Sequence, residues 1–281
     1  MSGCFDYRDG DSPLLISVPH DGRNIPSDIA ERMTPVALSI PDTDWHVAQL
    51  YGFGDELNAS MIIAKNSRYV VDLNRPMSDA ALYEGQVSTG LCPEQTFGGE
   101  DLYQDGGTVS ATDKERRVEN YWRPYHDQID IRLRQLKERF GYALLWDAHS
   151  IPSYVPSLFP GELPELNLGT NDGVSCPANV RDAIADVATS SSFSAVIDGR
   201  FRGGYITRHY GSPNNGQYAV QLELAQRCYM DEESQAFDEG LAERLRGTLR
   251  EMLAAFMQAS ARRQAGYHRA QEHAPTGAPI E

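Results

Sequence analysis

The chain of 281 residues is long enough for about two domains of ordinary size and for a large hydrophobic core. Hydrophobic residues make up 41% of it and charged residues 23%, which is typical of a globular protein and excludes wholesale disorder or a fibrous repeat. Asp and Glu number 40 against 25 Lys and Arg, and the resulting formal charge of −15 argues against nucleic acids and anionic membranes as partners.

Short apolar runs bounded by turn residues alternate with helical patterns along the chain. The apolar runs predict mostly buried strands over residues 13–18, 61–64, 68–73, 142–147, 195–198 and 218–224. The helical patterns cover residues 46–60, 112–140, 177–190 and 232–264, and Pro124 should start or kink the second helix. Strands alternating with helices predict an α/β fold, with a mixed, largely parallel sheet sandwiched by helices.

No internal repeat or clear linker divides the chain, so we expect residues 1–264 to form one catalytic domain and residues 265–281 a disordered tail. Two long stretches rich in Gly and Pro, 92–111 and 150–173, are predicted to be functional covers. The four cysteines lack CxxC spacing, which predicts free thiols in a reducing compartment. With no secretory signal and no membrane-length apolar segment, we expect a cytoplasmic protein.

Two histidines end predicted strands, His20 in SVPHDG and His149 in LLWDAHS. Ligands of open α/β sheets bind at the carboxyl ends of strands, so the two side chains can converge on one metal. Catalytic zinc typically takes three ligands from His and Asp or Glu and keeps a fourth position for water. The segment IPDTDWHV offers the acid, and we expect Asp44, with Asp42 as the alternative. Manganese, iron or cobalt could occupy the same residues.

Glu223 lies inside the apolar run YAVQLELAQ, where a charged residue is costly unless it is paired or functional. A hydrolase needs a carboxylate to take the proton of the attacking water, so Glu223 is the candidate general base. The alternative is a strand residue that faces solvent together with Gln221 in an alternating pattern.

The arginines stand out because the chain is so acidic. Arg68 and Arg75 flank one predicted strand in RYVVDLNRP, while Arg202 and Arg208 lie in the glycine-rich FRGGYITRHYG. Guanidinium groups grip carboxylates in a bidentate fashion, and glycines let the backbone approach a ligand closely. These arginines suggest a small anionic substrate with carboxylates, although each of them could instead pair with a nearby Asp.

Six blocks in this order resemble the N-formylglutamate amidohydrolase family over about residues 13–232: SVPHDGRNIP, DTDWHVAQLY, RYVVDLNRP, LLWDAHSIPS, FRGGYITRHYG and AVQLELAQRCYMDE. That family is related to the zinc carboxypeptidases and aspartoacylase, which implies their mixed α/β sandwich with a metal at the strand ends. The resemblance also implies hydrolysis of N-formyl-L-glutamate to formate and L-glutamate in histidine degradation.

The resemblance implies that His20 and His149 are zinc ligands. Carboxypeptidases and aspartoacylase carry a His-x-x-Glu motif, but the third residue after His20 is Arg23, so Asp44 is inferred from the residues of this chain alone. The general base would be Glu223, and the oxyanion would be stabilised by Arg68. The substrate carboxylates and the glutamate moiety would be recognised by four residues: Asn74, Arg75, Arg208 and His209.

Two other functions are compatible with the same residues. One is deacylation of another N-acyl acidic amino acid, and the other is binding of an acidic amino acid or a metal without turnover. Glu223 in an apolar strand favours catalysis, since binding a carboxylate gains nothing from a further negative charge. A nucleotide-binding protein is disfavoured, because neither GxxxxGK[ST] nor GxGxxG follows a strand.

Overall fold

The computed structural model describes residues 3–80 and 89–272, which form a seven-stranded sheet with helices on both faces. In chain order the strands are β1 (Phe5–Arg8), β2 (Leu14–Val18), β3 (Ser60–Ala64), β4 (Ala143–Ile151), β5 (Leu166–Gly169), β6 (Ala195–Ile197) and β7 (Gln217–Ala225). Across the sheet they lie in the order β1-β3-β2-β4-β7-β5-β6. The pairs β1–β3 and β5–β7 are antiparallel and the others parallel, which confirms the predicted mixed, largely parallel sheet.

The α-helices are α1 (Ser27–Ala30), α2 (Pro35–Leu38), α3 (Val47–Leu50), α4 (Ala111–Arg117), α5 (Arg123–Phe140), α6 (Ala178–Ser190), α7 (Tyr205–Tyr210) and α8 (Glu239–Glu272). A π-helical turn, Val118–Trp122, joins α4 to α5. The helix predicted over 112–140 is therefore present, and the turn ends two residues before Pro124. It ends where Gly141 adopts the left-handed conformation (φ 80°) that glycine tolerates best.

The two faces of the sheet bury different clusters of hydrophobic residues. Leu144 and Trp146 of β4 pack with α6 and α8, whereas Leu145 packs against α5 through residues such as Ile129 and Leu133. The apolar side of α5 therefore faces the sheet. No helix among the described residues is long and apolar enough to span a membrane.

The run at 68–73, predicted as a strand, forms turns instead. The Val70 N–H donates to the Ser67 carbonyl at 2.9 Å, as in a turn rather than a strand ladder. The run is apolar because its side chains enter two different clusters, Tyr69 and Val70 in one, and Val71 and Leu73 in the other. Burial on both sides thus produces the sequence pattern of a buried strand.

Three other boundaries differ from the predictions. The helix predicted over 46–60 is the short α3 followed by a 3₁₀ helix, Tyr51–Leu57, which Asn58 closes at φ 49°. Strand β5 lies inside the predicted loop 150–173. Helix α8 continues to Glu272, eight residues into the predicted tail 265–281, and these eight are mostly good helix formers. Residues 273–281 lie outside the described part of the chain.

Candidate active site and metal centre

The register between β4 and β7 places a polar patch at their carboxyl ends. His149 pairs with Glu223, and Asp147 pairs with Gln221. Paired residues, and residues two apart in one strand, share a face of the sheet, so all four side chains lie on the face that packs against α5. On that face the apolar Leu145 gives way to these polar groups, each exposed by 6% or less.

Three buried side chains converge beside this patch: His20, two residues after β2, Asp44, just before α3, and His149 of β4. One ligand atom from each lies within 4.8 Å of the others. Asp44 Oδ2 is 3.0 Å from His149 Nδ1 and 3.7 Å from His20 Nδ1. Within the described chain, His20 Nδ1 is buried without a hydrogen-bond partner. Two imidazoles and one carboxylate, with one imidazole nitrogen lacking a hydrogen-bond partner, fit a metal ion that keeps an open coordination position.

Asp42, the alternative acidic ligand, has a different partner. Its Oδ2 accepts a hydrogen bond of 2.8 Å from the Phe97 N–H, in the first of the two predicted covers. The Ser157 hydroxyl, in the second cover, donates to the Phe97 carbonyl. The two stretches therefore meet at Phe97, which lines the cavity together with Leu158. Asp42 therefore holds the 92–111 stretch in place, and Asp44 belongs to the candidate metal cluster.

Two aspartates that sequence reasoning missed contact the far side of each histidine. Asp72 Oδ1 lies 2.8 Å from His20 Nε2, and Asp147 Oδ2 lies 3.1 Å from His149 Nε2. Carboxylates at this position fix the tautomer and orientation of a ligand histidine, leaving Nδ1 for the metal. The spacing of Asp147 and His149 in one strand was a usable signal, whereas the contact of Asp72 depends on the turn at 68–73.

Burial and charge set the protonation of this cluster. Burial opposes the charged form of His149, but the charge of Asp147 and hydrogen bonds to Asp147 and Asp44 outweigh it and raise the pKa of His149 well above its ordinary value. Burial likewise opposes ionisation of Asp72, yet the charges of His20 and Arg68 hold its pKa well below the usual range. Only the neutral imidazole ligates a metal, so a proton and a metal ion would compete for His149.

Arg68 lines the cavity beside the candidate metal cluster. Its Nη1 is 3.4 Å from Asp44 Oδ1, and its Nη2 is 3.2 Å from Asp72 Oδ2. The guanidinium also lies over the Phe97 ring, 5.0 Å from its centroid. These contacts fix the orientation of Arg68, and the two carboxylates balance its charge.

Glu223 is buried next to the cluster and is held by Gln221. The Gln221 Nε2 donates to Glu223 Oε2 at 3.2 Å, and its Oε1 accepts from the Gly204 N–H at 2.7 Å. The solvent-facing alternative for these two residues is thus wrong. Burial raises the pKa of Glu223 to about 8, with the charge of His149 opposing and that of Asp44 reinforcing the shift. A nearby cation favours the ionised carboxylate.

Asn74 and Arg75, predicted to bind substrate, both line the cavity. Asn74 Nδ2 is 3.0 Å from His149 Nε2. Two contacts hold the loop that carries them. From the π-helical turn, the Trp122 Nε1–H donates to the Arg75 carbonyl at 2.9 Å, and from α5, His126 Nε2 lies 2.9 Å from the Leu73 carbonyl. Burial lowers the pKa of His126 to about 3, so this histidine is neutral.

Arg208 and His209 lie elsewhere. Within the described residues, the lining of the cavity does not include either of them. Arg208 Nε donates to the Gly203 carbonyl at 2.8 Å, and the His209 ring stacks on Tyr205 with centroids 4.8 Å apart. The backbone of the glycine-rich block does reach the site. At Gly204 it packs so closely on Asn74 that a Cβ there would lie only 2.3 Å from an atom of the Asn74 side chain, which only glycine avoids. Arg200, the residue just before this block, also lines the cavity and was missed by sequence reasoning.

Residues 12–230 match the family described as N-formylglutamate amidohydrolase. The N-formylglutamate deformylase of Pseudomonas putida is 46% identical over 259 residues, covering 92% of this chain and 97% of that protein. The deformylase of the same name from Pseudomonas aeruginosa is 48% identical over 255 residues, covering 90% and 96%. The crystal structure of N-formylglutamate amidohydrolase from Ralstonia eutropha JMP134 has a TM-score of 0.78 at 20% identity, covering 94% and 99%, and this similarity confirms the fold.

Proposed function

Because the chain belongs to the N-formylglutamate amidohydrolase family, we propose that it hydrolyses N-formyl-L-glutamate to formate and L-glutamate with one bound divalent metal ion. The observation that carries this proposal is the buried cluster of His20, Asp44 and His149 with a buried carboxyl group, Glu223, on the neighbouring strand. A protein that only binds acidic ligands has no use for Glu223, since a further negative charge repels them.

The metal is assigned to Nδ1 of His20, Nδ1 of His149 and a carboxylate oxygen of Asp44. Zinc is the expected ion, because this ligand set with an open position is that of catalytic zinc, although manganese, iron and cobalt accept the same residues. The buried, orphaned Nδ1 of His20 supports a cation here. When bound, the ion lowers the pKa of a coordinated water and polarises the formyl oxygen.

Side chains of the protein transfer the proton of the attacking water and stabilise the charge that forms on the substrate. Glu223 takes the proton of the attacking water and delivers it to the nitrogen of the departing glutamate, while the amide of Gln221 holds its carboxyl group in place. Arg68, fixed by two aspartates, stabilises the negative charge that develops on the formyl oxygen. Asn74 and Arg75 bind a substrate carboxylate and so orient the formyl group.

The setting of the reaction is also part of the proposal. The family resemblance supports a role in histidine degradation, and the four free thiols support the reducing cytoplasm. We propose residues 1–264 as a single catalytic domain, since strands from Phe5 to Ala225 join in one sheet.

Formate release from N-formyl-L-glutamate, measured with and without a chelator, tests the proposed function. We expect equimolar formate and glutamate, loss of activity after chelation, and recovery when a divalent metal is added back. A panel containing N-acetyl-L-glutamate, N-formyl-L-aspartate and N-acetyl-L-aspartate tests the rival deacylase, which would prefer another member of the panel. Turnover that persists after demonstrated metal removal would refute metal dependence, and binding without turnover of any substrate would identify a binding protein.

A further inference from the structure

The described lining of the cavity is mostly polar, but four of its side chains are apolar: Phe97, Ile151, Leu158 and Phe201. The two phenylalanines pack on different arginines. The Arg68 guanidinium carbon lies 5.0 Å from the centroid of the Phe97 ring, whereas that of Arg200 lies 5.3 Å from the centroid of Phe201. Arg68 in turn contacts Asp44 of the candidate metal cluster, so the ring of Phe97 lies beside the candidate reaction centre.

Two backbone hydrogen bonds hold Phe97 in this position. Its N–H donates to Asp42 Oδ2 at 2.8 Å, and its carbonyl accepts from the Ser157 hydroxyl. Arg68 Nη1 also donates to the Asp42 carbonyl at 3.3 Å, so Phe97 and the guanidinium group are both fastened to the segment that carries Asp44. Neither bond to Phe97 involves its ring, so the side chain can be shortened without removing these bonds.

The acyl group of the proposed substrate has a substituent that must fit into this part of the cavity. Its carbonyl carbon bears the oxygen, the scissile nitrogen and a third substituent, which is hydrogen in a formyl group and methyl in an acetyl group. In the mechanism proposed above, the oxygen faces Arg68 and the nitrogen receives its proton from Glu223. Because the three substituents of a trigonal carbon point apart, the third lies beside the oxygen and away from Glu223, on the side where Phe97 covers Arg68.

Resting on the proposed function, we propose that Phe97 is a specificity-determining residue whose ring excludes acyl groups larger than formyl. The ring packs on a guanidinium group that two aspartates fix, and the Phe97 backbone is also fixed, so the ring cannot move aside without loss of these contacts. A methyl group forced into a closely packed site is destabilising. One carbon more or less in an apolar site commonly changes kcat/KM by about 10- to 200-fold.

Phe201 provides a matched control in the same cavity. Both rings are partly buried and belong to the described lining. The Phe201 ring packs edge-to-face on Phe159, with the centroids 6.1 Å apart, and on Arg200. Replacing Phe201 by Ala therefore removes the same ring from the cavity without uncovering Arg68.

The experiment compares kcat/KM for three substrates in wild type, Phe97→Ala, Phe97→Leu and Phe201→Ala. N-acetyl-L-glutamate differs from N-formyl-L-glutamate only in the acyl group, and N-formyl-L-aspartate differs only in the amino acid. For Phe97→Ala we expect the ratio of acetyl to formyl activity to rise by about 10-fold or more, whatever the absolute rates, and for Phe97→Leu by less. The ratio of aspartate to glutamate activity should stay at its wild-type value in Phe97→Ala, and Phe201→Ala should keep the wild-type ratio of acetyl to formyl activity.

An unchanged ratio of acetyl to formyl activity in Phe97→Ala would overturn the assignment, as would an equal rise in Phe201→Ala or a matching shift in the ratio of aspartate to glutamate activity. Should circular dichroism show that Phe97→Ala is unfolded, Phe97→Leu decides, and it must itself raise the ratio of acetyl to formyl activity. Failure of the proposed function is distinct, because wild type would then release no formate from N-formyl-L-glutamate. A wild type that prefers the formyl substrate, together with an unchanged ratio in Phe97→Ala, refutes only the role of Phe97.

Discussion

Replacing Glu223 by Gln is expected to change two properties in opposite directions. Turnover should fall by about two to four orders of magnitude, because a positioned general base commonly contributes that much. The metal-free protein should become more stable, because its fold buries a carboxyl group that resists ionisation. The metal ligands are unchanged in this variant, so its metal content should match that of wild type.

The size of the stability gain follows from the pKa of Glu223, which burial raises from its ordinary 4.5 to about 8. The folded chain holds this proton more tightly than the unfolded chain, so the free energy of unfolding declines as the pH rises from 4.5 to 8. Between these two pKa values the free energy of unfolding falls by about 1.36 kcal/mol for each pH unit. At pH 7 the folded state is therefore destabilised by on the order of 3 kcal/mol, because the carboxyl group ionises in the unfolded chain. Gln has no proton to lose and avoids this penalty.

Urea unfolding in the presence of a chelator measures the effect at pH 5, 6, 7 and 8. The difference between Glu223→Gln and wild type should widen steadily over this range. Glu138→Gln, at an exposed position on α5, is the control and should show no such trend. A stability difference that does not vary with pH would refute the raised pKa, and wild-type turnover by Glu223→Gln would remove Glu223 as the base.

Three further substitutions test the candidate site. His149→Ala should lose most of its zinc in metal analysis while His209→Ala retains it, and full occupancy in His149→Ala would exclude this ligand. Asp72→Asn should weaken metal affinity roughly 10- to 100-fold in a chelator competition, because the carboxylate orients His20; an unchanged affinity would deny it that role. Gln221→Met should lower kcat by about 10-fold or more with little change in KM, since it frees the Glu223 carboxyl group; a change in KM alone would contradict this reasoning.

The sequence was most informative where an apolar strand stops. His20 and His149 were predictable because each follows or ends a buried run, and Glu223 because it interrupts one. The run at 68–73 misled for a physical reason: a turn whose side chains enter two hydrophobic clusters is as apolar as a buried strand. An apolar run thus predicts that a segment is buried more reliably than it predicts the conformation of its backbone.

Contacts between distant segments were harder to predict. Asp72 reaches His20 only because the turn at 68–73 approaches the end of β2, and no spacing in the sequence encodes that approach. The glycine-rich block lines the cavity, but it does so through Phe201 and Gly204, whereas the Arg208 Nε donates to the Gly203 carbonyl. A motif locates a segment, and the packing of that segment selects which of its side chains points inward.

The place of β7 in the sheet has a consequence for biosynthesis. This strand is the last of the seven in the chain, yet it lies in the middle of the sheet between β4 and β5. A nascent chain that has not yet emerged to residue 217 has no strand to connect β5 and β6 to the rest, and it lacks Glu223. The chain must therefore leave the ribosome at least as far as Glu223 before the candidate site can assemble.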